Sequence, residues 1–162
     1  MKTSPLAAIL LTSLLGVLPI AAQAQPYVIS TDGSEVTDKK TGLIWRRCAE
    51  GMTYSGSSCG GSATTFTHEA ALQRAASQAS STGVAWRLPN VKELSSIADK
   101  GRSSPAIDPT AFPATPSSYF WSSSPYVGST DFAWSVYFSD GFVNFSGYRS
   151  YRYYVRLVRA GQ

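Results

Sequence analysis

The chain has 162 residues, 43% of them hydrophobic, and 14 Lys and Arg against 10 Asp and Glu give a net charge of +4. That apolar content excludes a chain too poor in core residues to fold. So mild a charge excludes a nucleic-acid-coating protein, whose basic residues are dense and clustered.

Lys2, the apolar run Leu6 to Ile20 and the small-residue pattern Ala22-Gln23-Ala24 read as an export signal over residues 1–24. Thr12, Ser13 and Pro19 interrupt the run, which falls short of the roughly 18 unbroken apolar residues of a spanning helix. No transmembrane segment is expected after cleavage. The mature product, 25–162, is expected to be exported, periplasmic or secreted, and to hold one domain after a short N-terminal segment, 25–35.

Tyr27 to Ile29 and Ser34 to Val36 are short β-prone runs, and Val36 to Trp45 reads as strand, polar turn containing Gly42, strand. Cys48 and Cys59 are the only cysteines. In an exported chain such a pair reads as a disulfide, since a thiol-exchange site spaces its cysteines by two and a zinc site needs further ligands. Closing a loop of roughly a dozen residues stabilises by about 3 kcal/mol on the chain-entropy model. Residues 50–65, rich in Gly, Ser and Thr, read as the loop that this bond pins.

Thr67 is placed to cap a helix with Glu69 in its first turn and a small-residue face built from Ala70, Ala71, Leu72, Ala75, Ala76 and Ala79, ended by Gly83. Trp86-Arg87-Leu88 reads as a short strand. Asn90 and Glu93 form the capping box of a second helix, with Val91, Leu94, Ile97 and Ala98 on one face, which cannot run far past Asp99. Pro105, Pro109, Pro113 and Pro116 then mark 101–118 as an ordered surface loop.

Four strand candidates follow, at Tyr119 to Ser123, Ala133 to Phe138, Phe142 to Phe145 and Tyr153 to Arg159, the middle pair joined through Asp140-Gly141. Alternation puts Trp134, Val136 and Phe138 on one face, and a last strand beside an early one would close the domain. Two helices and a mainly antiparallel sheet give an α+β class. Trp45, Trp86, Trp121 and Trp134 are expected in the core.

Candidate chemistry is sparse. Gly56-Ser57-Ser58-Cys59-Gly60 matches the nucleophile-elbow string but lacks its strand-to-helix context. His68 is the only imidazole, so every His-based mechanism would need it; at the start of a helix with no spaced partner it reads as a packing or surface residue. Glu35, Asp38, Glu50, Glu69, Glu93, Asp99, Asp108, Asp131 and Asp140 are scattered, and two of them converging in space would make a glycosidase pair. Glu93 is explained by capping, Asp38 and Asp140 by turns. No calcium-loop spacing occurs, and no metal or cofactor is expected.

The informative stretch is 137–154, where Tyr137, Phe138, Phe142, Phe145, Tyr148, Tyr151, Tyr153 and Tyr154 mix with Ser, Asn, Gly, Arg149 and Arg152. That is binding-surface composition: tyrosine gives rigid amphipathic area, small polar residues adapt, and Arg supplies a planar fork for anions. Flat aromatic faces also suit sugar rings. The candidate ligand contacts are Tyr137, Asn144, Tyr148, Arg149, Tyr151, Arg152 and Tyr153. Strand periodicity buries about half of such aromatics, and Tyr148 and Tyr151, in a turn-like segment, are the hardest to bury.

Thr41-Gly42-Leu43-Ile44-Trp45, the Cys48 to Cys59 loop, Trp86 to Leu94, Phe120-Trp121-Ser122-Ser123, Ala133-Trp134, Phe138 to Gly141 and Tyr154 to Arg159 occur in that order. Together they resemble the DUF1566 family, the Legionella collagen-like protein C-terminal domain, over about 36–161. The resemblance implies a single C-type-lectin-like domain with two helices packed on a mainly antiparallel sheet with long loops. Relatives with that fold include the formylglycine-generating enzyme, whose late-chain cysteines have no counterpart after Cys59, and true C-type lectins, whose Glu-Pro-Asn or Gln-Pro-Asp triplet does not occur here. The resemblance implies an adhesin or ligand-displaying module with its binding face in 137–154.

The expected function is therefore an exported, non-catalytic binding or adhesion module for a glycan, anionic or neutral, with no nucleic-acid partner. Two alternatives remain open at this point. One is an enzyme, a carboxylate-based hydrolase or a formylglycine-generating relative; the other is a structural subunit that binds an envelope or surface protein.

Overall fold

The computed structural model describes residues 26–161; the expected export signal lies outside them. In chain order the elements are β1 (Tyr27–Ile29), β2 (Glu35–Asp38), β3 (Leu43–Arg46), β4 (Thr53–Tyr54), β5 (Cys59–Gly60), β6 (Thr65–Phe66), α1 (His68–Thr82), α2 (Val91–Ser96), β7 (Tyr119–Pro125), β8 (Phe132–Tyr137), β9 (Phe142–Tyr148), β10 (Tyr153–Tyr154) and β11 (Val158–Ala160). The class is α+β in a single domain, as the sequence predicts.

The predicted hairpin forms, with Val36 opposite Trp45, and β11 pairs with β3, so the chain end closes a four-stranded sheet in the order β1-β2-β3-β11. A five-stranded sheet runs β6-β10-β7-β8-β9, and β4 with β5 makes a separate ribbon. That ribbon lies inside the stretch predicted as loop and carries Cys59, which is bonded to Cys48. Thr67 caps α1 through Ala70 N, Gly83 ends it at φ 69°, and Asn90 with Glu93 forms the capping box of α2. Gly141, at φ 79°, turns the β8–β9 hairpin.

The two faces of the five-stranded sheet carry different cores. Phe120 and Val136 pack with Leu94, Ile97, Phe112 and Trp45 on the α2 side, whereas Trp121 and Ala133 pack with Ala71, Ala75, Leu88 and Leu157 on the α1 side. Successive strand residues point to opposite faces, which is how one sheet serves both.

Residues 101–118 are more than a surface loop: Ala106, Ile107, Ala111 and Phe112 are buried. The loop can enter the core because buried arginines satisfy it, Arg47 donating to the carbonyls of Thr110 and Ala111 and Arg156 to Thr115 Oγ1. The strand expected over Tyr153 to Arg159 is two strands in different sheets. Between them the carbonyls of Val155 and Leu157 accept from the N–H groups of Glu50 and Arg46, outside any regular ladder. Trp86-Arg87-Leu88 reduces to a single bridge, Arg87 with Val158. Trp134 is only half-buried, packed at 6.0 Å from both Tyr126 and Phe145, while the other three tryptophans are core residues.

Candidate aromatic binding site

Register across the five-stranded sheet aligns one aromatic from every strand. Tyr153 lies opposite Phe66, Tyr119 opposite Tyr137 and Tyr137 opposite Phe142, and the parallel pairing of Tyr154 with Phe120 sets Tyr153 beside Tyr119. Directly opposed residues share a face, so Phe66, Tyr153, Tyr119, Tyr137 and Phe142 form one row.

The three tyrosines are stacked on each other. Ring centroids are 4.3 Å apart for Tyr119 and Tyr137 and 4.9 Å for Tyr119 and Tyr153, with interplanar angles of 23° and 22°. The rings therefore stand on edge, and Tyr119 has a neighbour against each face. Trp121 lies beneath one end, 4.3 Å from the Tyr153 ring, and is itself pinned by its Nε1–H donating to the Phe66 carbonyl at 2.8 Å. Flat stacking of a sugar on Tyr119 is thus closed off; what this row offers a ligand is its line of phenolic hydroxyls. None of the hydroxyls of Tyr119, Tyr137 and Tyr153 meets a protein partner among the described residues, and none is a buried orphan. Burial pushes the Tyr153 pKa up, helped by Tyr119 and Tyr151, so its hydroxyl stays a neutral donor.

The row continues at one end into exposed rings. Tyr151 stands 6.2 Å from Tyr153 and 5.2 Å from Tyr148, which in turn packs at 4.4 Å on Phe132. Tyr148 and Tyr151 are 45% and 51% exposed, in line with the difficulty of burying them.

Of the sequence-predicted contacts, the structure thus joins Tyr137, Tyr153, Tyr151 and Tyr148 in one aromatic chain. Asn144 pairs across from Ser135, on the Tyr137 side of the sheet, but its Oδ1 is occupied by the N–H and hydroxyl of Ser146. Arg149 donates from Nε to the Phe132 carbonyl and borders a different cleft with His68 and Glu69. Arg152 is exposed and donates to the Thr65 carbonyl at the edge of the row. Sequence reading missed Tyr119 and Phe66. Both lie far from 137–154 in sequence, and only the pairing of β10 with β6 and β7 brings them in.

A family model, the Lcl C-terminal domain, matches residues 34–159. The chain belongs to that family. A search of curated proteins and one of solved structures found no match. In this Lcl C-terminal domain, no group of three or more His, Cys, Asp or Glu among the described residues is placed to hold a metal ion, and no described helix is long and apolar enough to cross a membrane. His68 is buried, its Nε2 3.0 Å from the Ser122 carbonyl and its ring edge-on to Trp121. Ser58 lies in the β4–β5 ribbon with no helix following it. Asp38 and Asp140 accept backbone N–H groups in their turns, and Glu93 holds both the Asn90 N–H and the Arg87 guanidinium.

Proposed function

We propose that this Lcl C-terminal domain is an exported, non-catalytic ligand-binding or adhesion module, C-type-lectin-like in fold, that takes glycans on the tyrosine row of its five-stranded sheet. The observation that carries the reading is the stacked, in-register set Tyr153, Tyr119 and Tyr137 with its open hydroxyls. Stacking removes the rotational freedom that a lone exposed tyrosine loses on binding, which makes the row a preorganised set of polar groups. Its pitch, close to the spacing of neighbouring strands, suits the repeated hydroxyls of a polysaccharide. Arg152 at one edge supports anionic glycans as well as neutral ones. The non-catalytic reading is supported by Asp38, Glu50, Glu93, Asp99 and Asp140, each engaged in a turn, cap or ion pair. The disulfide supports export.

Binding of the purified protein to a mixed array of neutral and sulfated glycans, over a salt series and with and without chelator, tests this. Changing Tyr119, Tyr137 and Tyr153 together to Phe keeps the stack and removes the hydroxyls; binding is expected to fall at least tenfold. Equal binding by that variant, or hydrolysis of any bound glycan, would overturn the proposal.

A second reading rests on the far end of the sheet, where Val127 is 98% exposed beside Tyr126 and Phe145 is 48% exposed. Such an apolar end fits a surface protein, and co-purification of one stoichiometric partner, lost in Val127→Lys, would favour it.

A further inference from the structure

A surface cleft lies away from the tyrosine row, between the β2–β3 hairpin, the disulfide-bonded loop and the segment after α1. Its volume is about 330 Å³, with Arg46, Glu50, Met52 and Trp86 among its walls, enough for a ligand the size of a monosaccharide. Glu50 is its fixed point. The side chain is 2% exposed, the backbone N–H donates to the Val155 carbonyl, and the backbone carbonyl accepts from Thr64 N.

Two guanidiniums converge on that one carboxylate. Arg46 NH1 reaches Oε1 at 3.3 Å and Arg74 Nε reaches Oε2 at 2.7 Å. A single bidentate arginine would neutralise Glu50; the pair leaves the cluster positive. Arg159, ion-paired with Glu35 at 2.6 Å, joins it, since Arg46 and Arg159 both lie over the Trp86 ring, at 5.0 and 5.5 Å. Three guanidiniums against two carboxylates leave one net positive charge. A guanidinium has five N–H donors, and Arg46 and Arg74 each use one; their remaining donors meet no protein acceptor among the described residues. The side chains are 26% and 38% exposed, so those donors reach solvent.

We propose that this cleft is a second binding site, for a small organic monoanion bearing a carboxylate or sulfate group. The anionic group takes the open donors of Arg46, next to the charge of Arg74, and the body of the ligand lies against Trp86 and Met52. Glu50 is the positioning residue: it holds both guanidiniums at fixed angles before the ligand arrives, and charge-assisted bonds to such a pair are stronger than neutral ones. One monoanion brings the cluster to neutrality.

The test is a 1H–15N NMR titration of the full chain, following the Trp86 indole and the arginine Nε–H signals, with glucuronate, glucose 6-sulfate, inorganic sulfate and neutral glucose as probes. Saturable shifts with glucuronate or glucose 6-sulfate are expected, and none with glucose. The two sugar anions distinguish carboxylate from sulfate recognition, and inorganic sulfate shows whether the organic body contributes. Arg46→Gln is expected to weaken binding about tenfold, the equivalent of about 1.4 kcal/mol. Arg74→Gln, on the half-buried flank of α1, provides a second variant whose amide can still donate to Glu50, and it is expected to weaken binding in the same direction. The triple Tyr-to-Phe variant is expected to bind these anions as wild type does, which separates this site from the glycan surface. Absence of shifts at Trp86 with every anion, or wild-type binding by both arginine variants, would overturn the proposal.

Discussion

Gly147 lies so close against Trp121 that a Cβ built on it would stand 2.8 Å from the indole Cζ3 and 3.1 Å from the Ala133 carbonyl oxygen. The indole cannot retreat, because its Nε1–H is bonded to the Phe66 carbonyl and its ring is wholly buried. Gly147→Ala is therefore expected to destabilise by about 1–3 kcal/mol through overpacking, read as a lower urea midpoint at unchanged slope. Since Trp121 also supports Tyr153, the same variant is expected to change the near-UV circular dichroism of the aromatic row.

Arg156 occupies the opposite situation, a wholly buried cation with no carboxylate partner among the described residues. It lies 4.8 Å from the Phe112 ring and donates to the carbonyls of Arg46 and Arg47 and to Thr115 Oγ1. Burial pulls its pKa down to about 9, which leaves it charged at neutral pH. Arg156→Ala opens a cavity and strands buried acceptors, with an expected loss of about 3 kcal/mol or more. Arg156→Lys is not expected to rescue, because one ammonium cannot span acceptors that a planar fork reaches together. Thermal denaturation of both variants checks this, and a lysine variant as stable as wild type would show that the fork geometry is dispensable.

Arg156 marks where the sequence stops being legible. Local rules found the elements whose cause is local: the Asn90–Glu93 capping box, the Gly83 helix end and the Asp140-Gly141 hairpin, each set by residues within a turn of one another. Alternation also put Val136 and Phe138 on one face. Of what distant pairing sets, the closing of the domain by a last strand beside an early one is expected and forms as β11 on β3, while the burial of single side chains is not legible. Arg156 looks like a surface charge in an alternating strand, and only the Arg46–Arg47 carbonyls, more than a hundred residues earlier, explain its burial. The site divides the same way. Tyr137, Tyr148, Tyr151 and Tyr153 were visible as a tyrosine-rich stretch, whereas Tyr119 enters through the parallel pairing of β10 with β7. Nearness in sequence groups Arg149 and Arg152 with them, yet both side chains bond backbone carbonyls at the margins.

The Cys48–Cys59 bond closes the loop that carries β4 and β5, and Cys48 borders the Arg46–Glu50 cleft. Replacing both cysteines by Ser is expected to cost about 3 kcal/mol, chiefly by freeing the unfolded chain. It is also expected to weaken anion binding in the cleft, because one wall loses its tether. Urea denaturation with and without reductant, beside the NMR titration, measures the two effects separately; equal stability of the reduced and oxidised protein would show that the ribbon holds its place unaided.

His68 gives the fold a pH dependence. A carbonyl oxygen only accepts, so Nε2, 3.0 Å from Ser122 O, carries the proton of a neutral imidazole. Burial lowers the His68 pKa below its ordinary 6.5, and Arg149 lowers it further. The folded state then binds fewer protons than the unfolded state just below pH 6.5. The contribution of His68 to stability is complete above 6.5 and is lost as pH falls from that value through the lowered pKa of the folded state. Glu93, whose pKa is held down chiefly by its hydrogen bond to Arg87, loses its own contribution only below its ordinary 4.5. The slope of unfolding free energy between pH 6.5 and 5 is therefore expected to belong to His68 and to flatten in His68→Gln. Denaturation midpoints at half-unit pH steps check this. Equal slopes in the two proteins would mean that the imidazole takes up its proton without leaving its place against Trp121.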